Sequence, residues 1–352
     1  MMSETMTSRE RVLAALMGLP HDRVPYMELY VDEHLARRAL NLPPVSQPSR
    51  MSGDRPVTVD YFGGSSYDPQ KLAETLGLES LLISAQPQIY FETDIRDGQY
   101  FVTGGQVRKR ADLAKVQLHD PDDLSIYEPA RRFLEKYRPT GLALGCFINL
   151  GADPVTLSMG WDQFSYALYD DPTMLHTLFD VYSDWSARAV RHLCGMGFYF
   201  IWAGDDIAFR SGPMISPRFF RQFFMPYFKR VAENISLPWI FHTDSNFLPL
   251  LDDLLTLGMN GLHPNEPDAV DIRHVKQLVG DRLTLVGNID ISVLSLGTPE
   301  QVEVLTNEVI RNVGRDGRLI LSSSNSLARS CKMENVLAMQ QACLRSGVYP
   351  IE

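Results

Sequence analysis

The chain has 352 residues, of which 45% are hydrophobic, and it carries a formal net charge of −10. A chain of this length can bury a large core, either as one large α/β domain or as two smaller ones. The acidic balance disfavours nucleic-acid backbones and anionic membranes as partners, and no apolar run approaches the roughly 20 residues of a membrane span.

The first predicted element is a short amphipathic helix. Met1 to Ser8 lacks the basic and apolar regions of a signal peptide. Thr7 and Glu10 have the spacing of a capping box, which predicts a helix from about Ser8 to Met17 that ends at Gly18. The four cysteines are sparse and show no C-x-x-C spacing, so we expect a reduced, cytoplasmic protein.

Short apolar runs then alternate with amphipathic helical patterns. Continuous apolar runs are typical of strands buried on both faces. Pro172 to Met196 is the longest helical pattern, and Ser216-Pro217 begins another helix that we expect to kink at Pro226. The predicted strands are Val24–Leu29, Leu81–Ala85, Leu142–Phe147, Tyr199–Gly204, Pro238–His242, Gly261–His263, Leu283–Gly287 and Leu319–Ser322.

Eight strands separated by helices are the number required for a closed (β/α)₈ TIM barrel. The alternative, an open doubly wound sheet, requires a glycine-rich turn after the first strand, and the sequence has none. Tyr90 to Lys109 resembles a β-hairpin with Asp97-Gly98 as its turn, inserted between strands two and three. With no linker and no internal repeat, residues 1–352 are predicted to form one barrel domain.

Polar and aromatic residues gather where the predicted strands end. Loops are polar in general, but the active site of such a barrel lies at the carboxyl ends of its strands, and a dense group of ionisable residues there indicates function. The residues selected on this basis are Glu28, Tyr30, Phe147, Trp202, Asp205, Asp206, His242, Asp244, His263, Glu266, Asn288 and Asn325.

His242 and Asp244 form the most informative local pattern. Residues two apart in a strand point to the same face, so the pair can bind a divalent metal or transfer protons. The alternative is an aspartate that only orients the histidine or caps the next helix. Asp205 and Asp206 are adjacent and should point apart, which places one in the site and leaves the other to cap a helix.

Several segments resemble the uroporphyrinogen decarboxylase superfamily. The opening run, a G-N-[IL]-D segment and a C-terminal signature occur in the superfamily's order, and together they cover nearly the whole chain. The resemblance implies the TIM-barrel fold. The segments are Ser8–Tyr26, Asp205–Val231, Phe241–Ile272, Val286–Val302 and Ser322–Met339.

Two functional branches of the superfamily resemble this chain. Its decarboxylases carry an R-Q-A-G-R-Y-type segment whose arginines bind substrate carboxylates, whereas Glu28–Asn41 has only Arg37 and Arg38, in a different pattern. Its corrinoid-linked thiol methyltransferases hold zinc with one His and two Cys. These ligands fall on His242, Asp244 and Asn325, which implies harder oxygen ligands here. Cys331 remains an alternative ligand.

The resemblance therefore implies an enzyme that moves a methyl group from a small molecule to cob(I)alamin on a separate corrinoid protein. A methoxylated aromatic donor is expected first, and a methylamine or betaine next. The alternatives are uroporphyrinogen decarboxylation, methylcobalamin:thiol methyl transfer and a non-catalytic binding role. A homodimer is expected by analogy with the superfamily.

The predicted roles follow from residue type. We expect His242, Asp244, Asp206 and Glu28 to be catalytic, and His242, Asp244 and Asn325 to be the candidate ligands of a metal such as zinc. The expected substrate contacts are the aromatic walls and the remaining polar groups: Tyr30, Phe147, Trp202, Asp205, His263, Glu266, Asn288 and Asn325.

Overall fold

The computed structural model describes residues 5–44, 58–61, 67–96 and 99–352. The strands within these residues are β1 (Thr58–Tyr61), β2 (Ser80–Gln86), β3 (Phe91–Arg96), β4 (Gln99–Gly105), β5 (Ala143–Ile148), β6 (Phe200–Gly204), β7 (Ala208–Phe209), β8 (Gly212–Pro213), β9 (Trp239–His242), β10 (Gly261–His263), β11 (Thr284–Ile289) and β12 (Leu319–Ser323). The α-helices are α1 (Ser8–Met17), α2 (Glu33–Ala39), α3 (Pro69–Leu76), α4 (Glu128–Tyr137), α5 (Ala152–Met159), α6 (Trp161–Asp170), α7 (Pro172–Met196), α8 (Pro217–Phe219), α9 (Met225–Ala232), α10 (Leu251–Leu255), α11 (Ile272–Val279), α12 (Ile291–Leu296), α13 (Pro299–Val313) and α14 (Met333–Ser346).

One curled sheet organises the fold, in the order β1-β2-β5-β6-β9-β10-β11-β12. The seven strands from β2 to β12 in this order run parallel to one another, whereas β1 pairs antiparallel with β2. Helices connect the parallel strands, so that all their carboxyl ends meet at one rim. The predicted parallel α/β sheet is confirmed for seven of the predicted strands. None of the helices in the described part of the chain could cross a membrane.

The predicted first strand, Val24–Leu29, is not a strand in the structure. It makes a single parallel bridge, between Tyr26 and Leu321 of β12. The Tyr26 carbonyl accepts a hydrogen bond from the Glu79 backbone N–H at 2.9 Å, next to β2. The Tyr26 N–H, however, donates to the Glu79 carboxylate at 3.1 Å rather than to a neighbouring strand. A side chain thus replaces a ladder bond, and the segment lies between β12 and β2 without extended pairing.

The strands β3 and β4 pair antiparallel, with an irregularity between Glu92 and Thr93. Residues 97 and 98, the predicted turn, lie outside the described residues. The strand pair contacts α5, because the Val107 N–H donates to the Ser158 carbonyl at 2.9 Å. At Gly105 an added Cβ would come within 2.1 Å of the Met159 backbone carbon, so this close approach requires glycine.

The sheet has apolar side chains on both of its faces, which accounts for the unbroken apolar runs. The outer face packs against the helices, while a smaller group fills the concave side of the curled sheet. Phe200 and Trp202 of β6 are fully buried on that side. The space that the sheet encloses below the rim is therefore packed with side chains rather than open.

The helix boundaries illustrate how local signals act. The capping box of Thr7 and Glu10 is present at α1, which ends at Gly18 with φ +62°. α7 spans the predicted range. The kink expected at Pro226 takes the form of a π-helical turn over Phe220–Phe224, and Pro226 lies in the first turn of α9 that follows.

Candidate active site

Three ionisable side chains converge at the carboxyl ends of β6 and β9. His242 is the last residue of β9, and Asp206 follows β6 by two positions. The His242 Nε2 atom lies 3.5 Å from Asp244 Oδ1 and 3.9 Å from Asp206 Oδ1. Asp206, His242 and Asp244 thus each offer one potential ligand atom, and these three atoms lie within 4.8 Å of one another. We refer to these three residues as the rim cluster.

The backbone around the rim cluster is held by carboxylates. The Asp244 N–H donates to Asp206 Oδ1 at 3.2 Å, and the Asp206 N–H donates to Asp153 Oδ1 at 3.0 Å. Ser245 adopts a left-handed conformation with φ +69°, and its N–H and hydroxyl both donate to Glu266 Oε2. Such strained backbone is typical of sites where the surrounding structure fixes a side chain in place.

Burial and like charges alter the protonation of these acids. The pKa of Asp244 is raised to about 6, chiefly by burial and also by the charges of Asp206 and Glu266, while His242 and the hydrogen bond from Asn325 lower it. Burial and the charges of Asp206 and Asp205 also hold the pKa of Asp153 well above its usual range. At pH 7 roughly one Asp244 side chain in ten is therefore protonated, and that form can act as a general acid.

The rim cluster also fits a divalent cation. The Asp244 Oδ1 atom is buried and has no hydrogen-bond partner in the described residues, so a ligand could satisfy it. Oxygen and imidazole donors at this spacing suit zinc and other divalent metals. Asn325 donates from its amide nitrogen to Asp244 Oδ2 at 2.8 Å, and in that orientation it holds the aspartate; the predicted ligand role of its oxygen is untested.

A second histidine lies directly behind His242. The Nδ1 atoms of His242 and His263 are 2.7 Å apart, and the His263 side chain is fully buried. The His263 Nε2 atom makes a long contact of 3.5 Å with the Ser322 hydroxyl, which donates to Glu28 Oε2 at 3.3 Å. Glu28 is buried, and burial raises its pKa to about 7. The predicted residues Glu28, His242 and His263 therefore belong to one buried polar chain.

The other predicted residues are more dispersed. Phe147 packs close to Gly204 beside the His242 ring, but Trp202 is fully buried beneath His263, with ring centroids 4.9 Å apart, and cannot touch a ligand at the rim. Tyr30 is half-buried and lines a small cavity with Glu28. The Asn288 amide nitrogen donates to the Asn265 carbonyl at 2.8 Å, while its oxygen is buried without a partner in the described residues.

Asp205 faces away from the rim cluster. Its carboxylate accepts hydrogen bonds from the backbone N–H groups of Leu150 at 2.5 Å, Gly151 at 3.2 Å and Asp153 at 2.7 Å, around the start of α5. Adjacent residues point apart, as the sequence indicates, and Asp206 is the one that enters the site. The three hydrogen bonds found for this carboxylate all come from backbone N–H groups, which indicates a structural role, and the expected contact of Asp205 with substrate stays a prediction.

Two residues of the site were missed by the sequence reasoning. Asp153 holds the Asp206 backbone, and Ser322 links His263 to Glu28. The only local signal for Asp153 is its place in the first turn of the helix after a buried strand, and Ser322 is one of three consecutive serines at the end of a strand. Neither signal distinguishes these residues from an ordinary helix start or strand end.

Comparison with known proteins places the fold. The family described as uroporphyrinogen decarboxylase (URO-D) matches residues 91–345. A methylated-thiol–coenzyme M methyltransferase of Methanosarcina mazei is 27% identical over 179 residues, covering 51% of this chain and 46% of that protein. A uroporphyrinogen decarboxylase of Coxiella burnetii is 25% identical over 185 residues, covering 50% and 48%. The matched region thus spans about half the length of these two relatives.

Two further comparisons cover more of the chain. The chloroplastic uroporphyrinogen decarboxylase 2 of Arabidopsis thaliana is 23% identical over 348 residues, covering 94% of this chain and 84% of that protein. A solved structure of a methyltransferase from Methanosarcina mazei superposes with a TM-score of 0.73 at 20% identity, covering 97% of this chain and 99% of that one. The structural likeness establishes a shared fold.

Proposed function

The chain belongs to the uroporphyrinogen decarboxylase family, and within that family we propose that it is a methyltransferase. The proposed reaction moves a methyl group from an O- or N-methylated small molecule to cob(I)alamin on a separate corrinoid protein, and a methoxylated aromatic is the first candidate donor. Support comes from the rim cluster of Asp206, His242 and Asp244, which contains oxygen and nitrogen donors but no thiolate.

The rim cluster can assist the departure of the donor heteroatom. Transfer breaks the bond between the methyl carbon and the donor oxygen, and both bonding electrons stay on the oxygen. An unassisted phenolate or alkoxide is a poor leaving group, and general acid catalysis typically accelerates such a step by about 10² to 10⁴. Asp244 has a pKa of about 6, so its protonated form can supply a proton at neutral pH, 3.5 Å from His242 Nε2.

A divalent metal at the same place would polarise the donor oxygen as a Lewis acid. Asp206, His242 and Asp244 would hold it, and Asn325 would orient Asp244 from behind. Phe147, which packs beside the His242 ring, would contact an aromatic donor. The same residues thus serve either version of leaving-group assistance.

The arrangement of arginines weighs against decarboxylation of a porphyrinogen. The Arg38 guanidinium donates to the backbone carbonyls of Arg329 at 2.8 Å and Cys331 at 2.9 Å, and Arg37 donates to the carbonyl of Pro43. A substrate with many carboxylates requires several guanidinium groups aimed at it. These two are instead used to hold the chain together.

The chemistry of Cys331 weighs against a thiol-activating metal. This cysteine is fully buried and is not among the groups that meet in the rim cluster. The Ser295 hydroxyl donates to its sulfur at 3.9 Å.

The proposal is tested by an anaerobic spectrophotometric assay with methoxyarenes, methylamines and betaines, and with cob(I)alamin either free or on a corrinoid protein. Formation of methylcobalamin with any donor, lost in His242→Ala and retained in Cys331→Ala, would support the proposal. Loss in Cys331→Ala, in a variant whose circular dichroism shows a folded barrel, would instead favour the thiol methyltransferase. No product with any donor from the folded wild type, together with turnover of uroporphyrinogen, would overturn it.

A further inference from the structure

A buried chain of polar contacts connects Glu28 to the rim cluster. It runs from Glu28 to the Ser322 hydroxyl, then to His263, and ends at the Nδ1 atom of His242. The three contacts measure 3.3, 3.5 and 2.7 Å, respectively. His263 and Ser322 are fully shielded from solvent, so water does not compete for these contacts.

The Glu28 carboxylate determines which group donates and which accepts in each contact of this buried series. Glu28 Oε1 accepts from the Ser323 backbone N–H at 2.9 Å, and Glu28 Oε2 accepts from the Ser323 hydroxyl at 2.6 Å as well as from Ser322. Above its pKa of about 7 the Glu28 carboxylate is ionised and can only accept, so the Ser322 hydroxyl donates to it. The Ser322 oxygen is then left as an acceptor for His263.

The direction continues through the two imidazole rings. His263 is fully buried, and its two ring nitrogens contact a serine hydroxyl and another imidazole rather than a carboxylate, so the neutral ring is the form that fits this position. A neutral imidazole carries one N–H, and if His263 Nε2 donates to Ser322, then His263 Nδ1 must accept. The 2.7 Å contact then requires a hydrogen on His242 Nδ1. The His242 Nε2 atom is left with a bare lone pair that faces Asp206 and Asp244.

We propose that Glu28 is a positioning residue that acts through Ser322 and His263 to fix the tautomer of His242 in which Nε2 carries no hydrogen. The neighbouring carboxylates alone would favour the opposite tautomer, because Asp206 and Asp244 attract an N–H at Nε2. With its lone pair exposed, His242 Nε2 can accept a proton or bind a cation. This catalytic meaning rests on the proposed function, whereas the tautomer itself does not.

The test reads the tautomer directly, with no donor and no cobalamin present. Nitrogen chemical shifts of the ¹⁵N-histidine-labelled protein distinguish a protonated Nδ1 from a protonated Nε2. At mildly alkaline pH we expect His242 in the wild type to carry its hydrogen on Nδ1. In Glu28→Gln the new amide N–H donates to the Ser322 oxygen, so each hydrogen bond between Ser322 and His242 runs in the opposite direction. The ring hydrogen of His242 should then move from Nδ1 to Nε2.

Three further variants separate a positioning role from a merely structural one. Ser322→Ala should interrupt the chain and shift His242 towards the Nε2–H tautomer, and Ser322→Thr, which keeps the hydroxyl, should restore the wild-type shifts. Ser324→Ala is the matched control, since the Ser324 hydroxyl accepts from the Ile291 N–H outside this chain, and it should leave His242 unchanged.

The outcomes distinguish this inference from the proposed function. If wild-type His242 carries its hydrogen on Nε2, the positioning role is refuted, even where a variant fails to fold. Unchanged His242 shifts in both Glu28→Gln and Ser322→Ala would refute it equally. Neither result affects the methyl-transfer assay, which stands or falls on product formation alone.

Discussion

Replacing Glu28 by glutamine should change how the stability of the fold depends on pH. Glu28 is only 5% exposed, beside the end of β12, and no cation is among the hydrogen-bond partners found for it in the described residues. Burial raises its pKa to about 7, against hydrogen bonds from Ser323 and Ser322 that lower it. The folded state therefore retains a proton that the unfolded chain has already lost.

The sign and the size of this pH dependence follow from the linkage between proton binding and folding. Between the unfolded pKa of 4.5 and the folded value of about 7, the folded state binds more protons, so its stability falls as pH rises. A shift of this size corresponds to about 3 kcal/mol, at 1.36 kcal/mol per pKa unit. Burial also raises the pKa of Asp205 to about 7 and that of Asp244 to about 6. These two groups therefore also make the stability of the fold decrease as the pH rises. Only the difference in the free energy of unfolding between the variant and the wild type isolates the contribution of Glu28.

Urea denaturation at a series of pH values measures that difference. The free energy of unfolding of Glu28→Gln relative to wild type should rise by roughly 3 kcal/mol between acid and mildly alkaline pH. Glu135→Gln, which removes an exposed carboxyl group, serves as the matched control and should track the wild type. Parallel curves for wild type and Glu28→Gln across this range would show that Glu28 is already ionised in the folded state, and the assigned cause of its pKa would be wrong.

Other changes should separate chemistry from architecture. Asp244→Asn should lower methyl transfer by about 10² to 10⁴ through loss of the acid, while the melting temperature stays near that of the wild type; an undiminished rate would exclude Asp244 as the proton donor. Zinc titration followed by calorimetry should show binding to wild type that weakens in Asp206→Ala and His242→Ala, and equal affinity in all three would place the metal elsewhere. Asp205→Ala should leave three buried N–H groups unsatisfied and cost about 3 kcal/mol or more of stability; a stability equal to that of the wild type, in urea denaturation, would show that Asp205 does not hold the start of α5.

The sequence predicts most elements of this fold because their signals are local. Apolar runs mark seven parallel strands, and the capping residues mark α1. The segment around Tyr26 was mispredicted because its N–H pairs with the carboxylate of Glu79, 53 residues away. No pattern within the apolar run reveals that partner, since hydrogen bonding between distant segments decides the outcome.

The residues of the candidate site also divide into those that a local sequence pattern predicts and those that it does not. The spacing of His242 and Asp244 is enough to predict that both side chains meet, and they lie 3.5 Å apart. The orientation of the Asp205-Asp206 pair, by contrast, is decided by backbone N–H groups more than 50 positions earlier in the chain. The contribution of Ser322 depends on which strands are neighbours in the sheet. Sequence patterns therefore miss those site residues whose hydrogen-bond partners lie on distant segments of the chain.

The exposure of the rim cluster constrains how a substrate could lie in it. The side chains of Asp206, Asp244 and His242 are 42%, 26% and 11% exposed, so accessibility falls from the rim towards the sheet. His263 lies level with His242 on β10, Trp202 lies two residues lower on β6, and both side chains are fully buried. A ligand therefore cannot pass below His242, and its reacting group must remain near the rim. Under the proposed function, this shallow floor keeps the donor methyl within reach of a cofactor that a second protein carries.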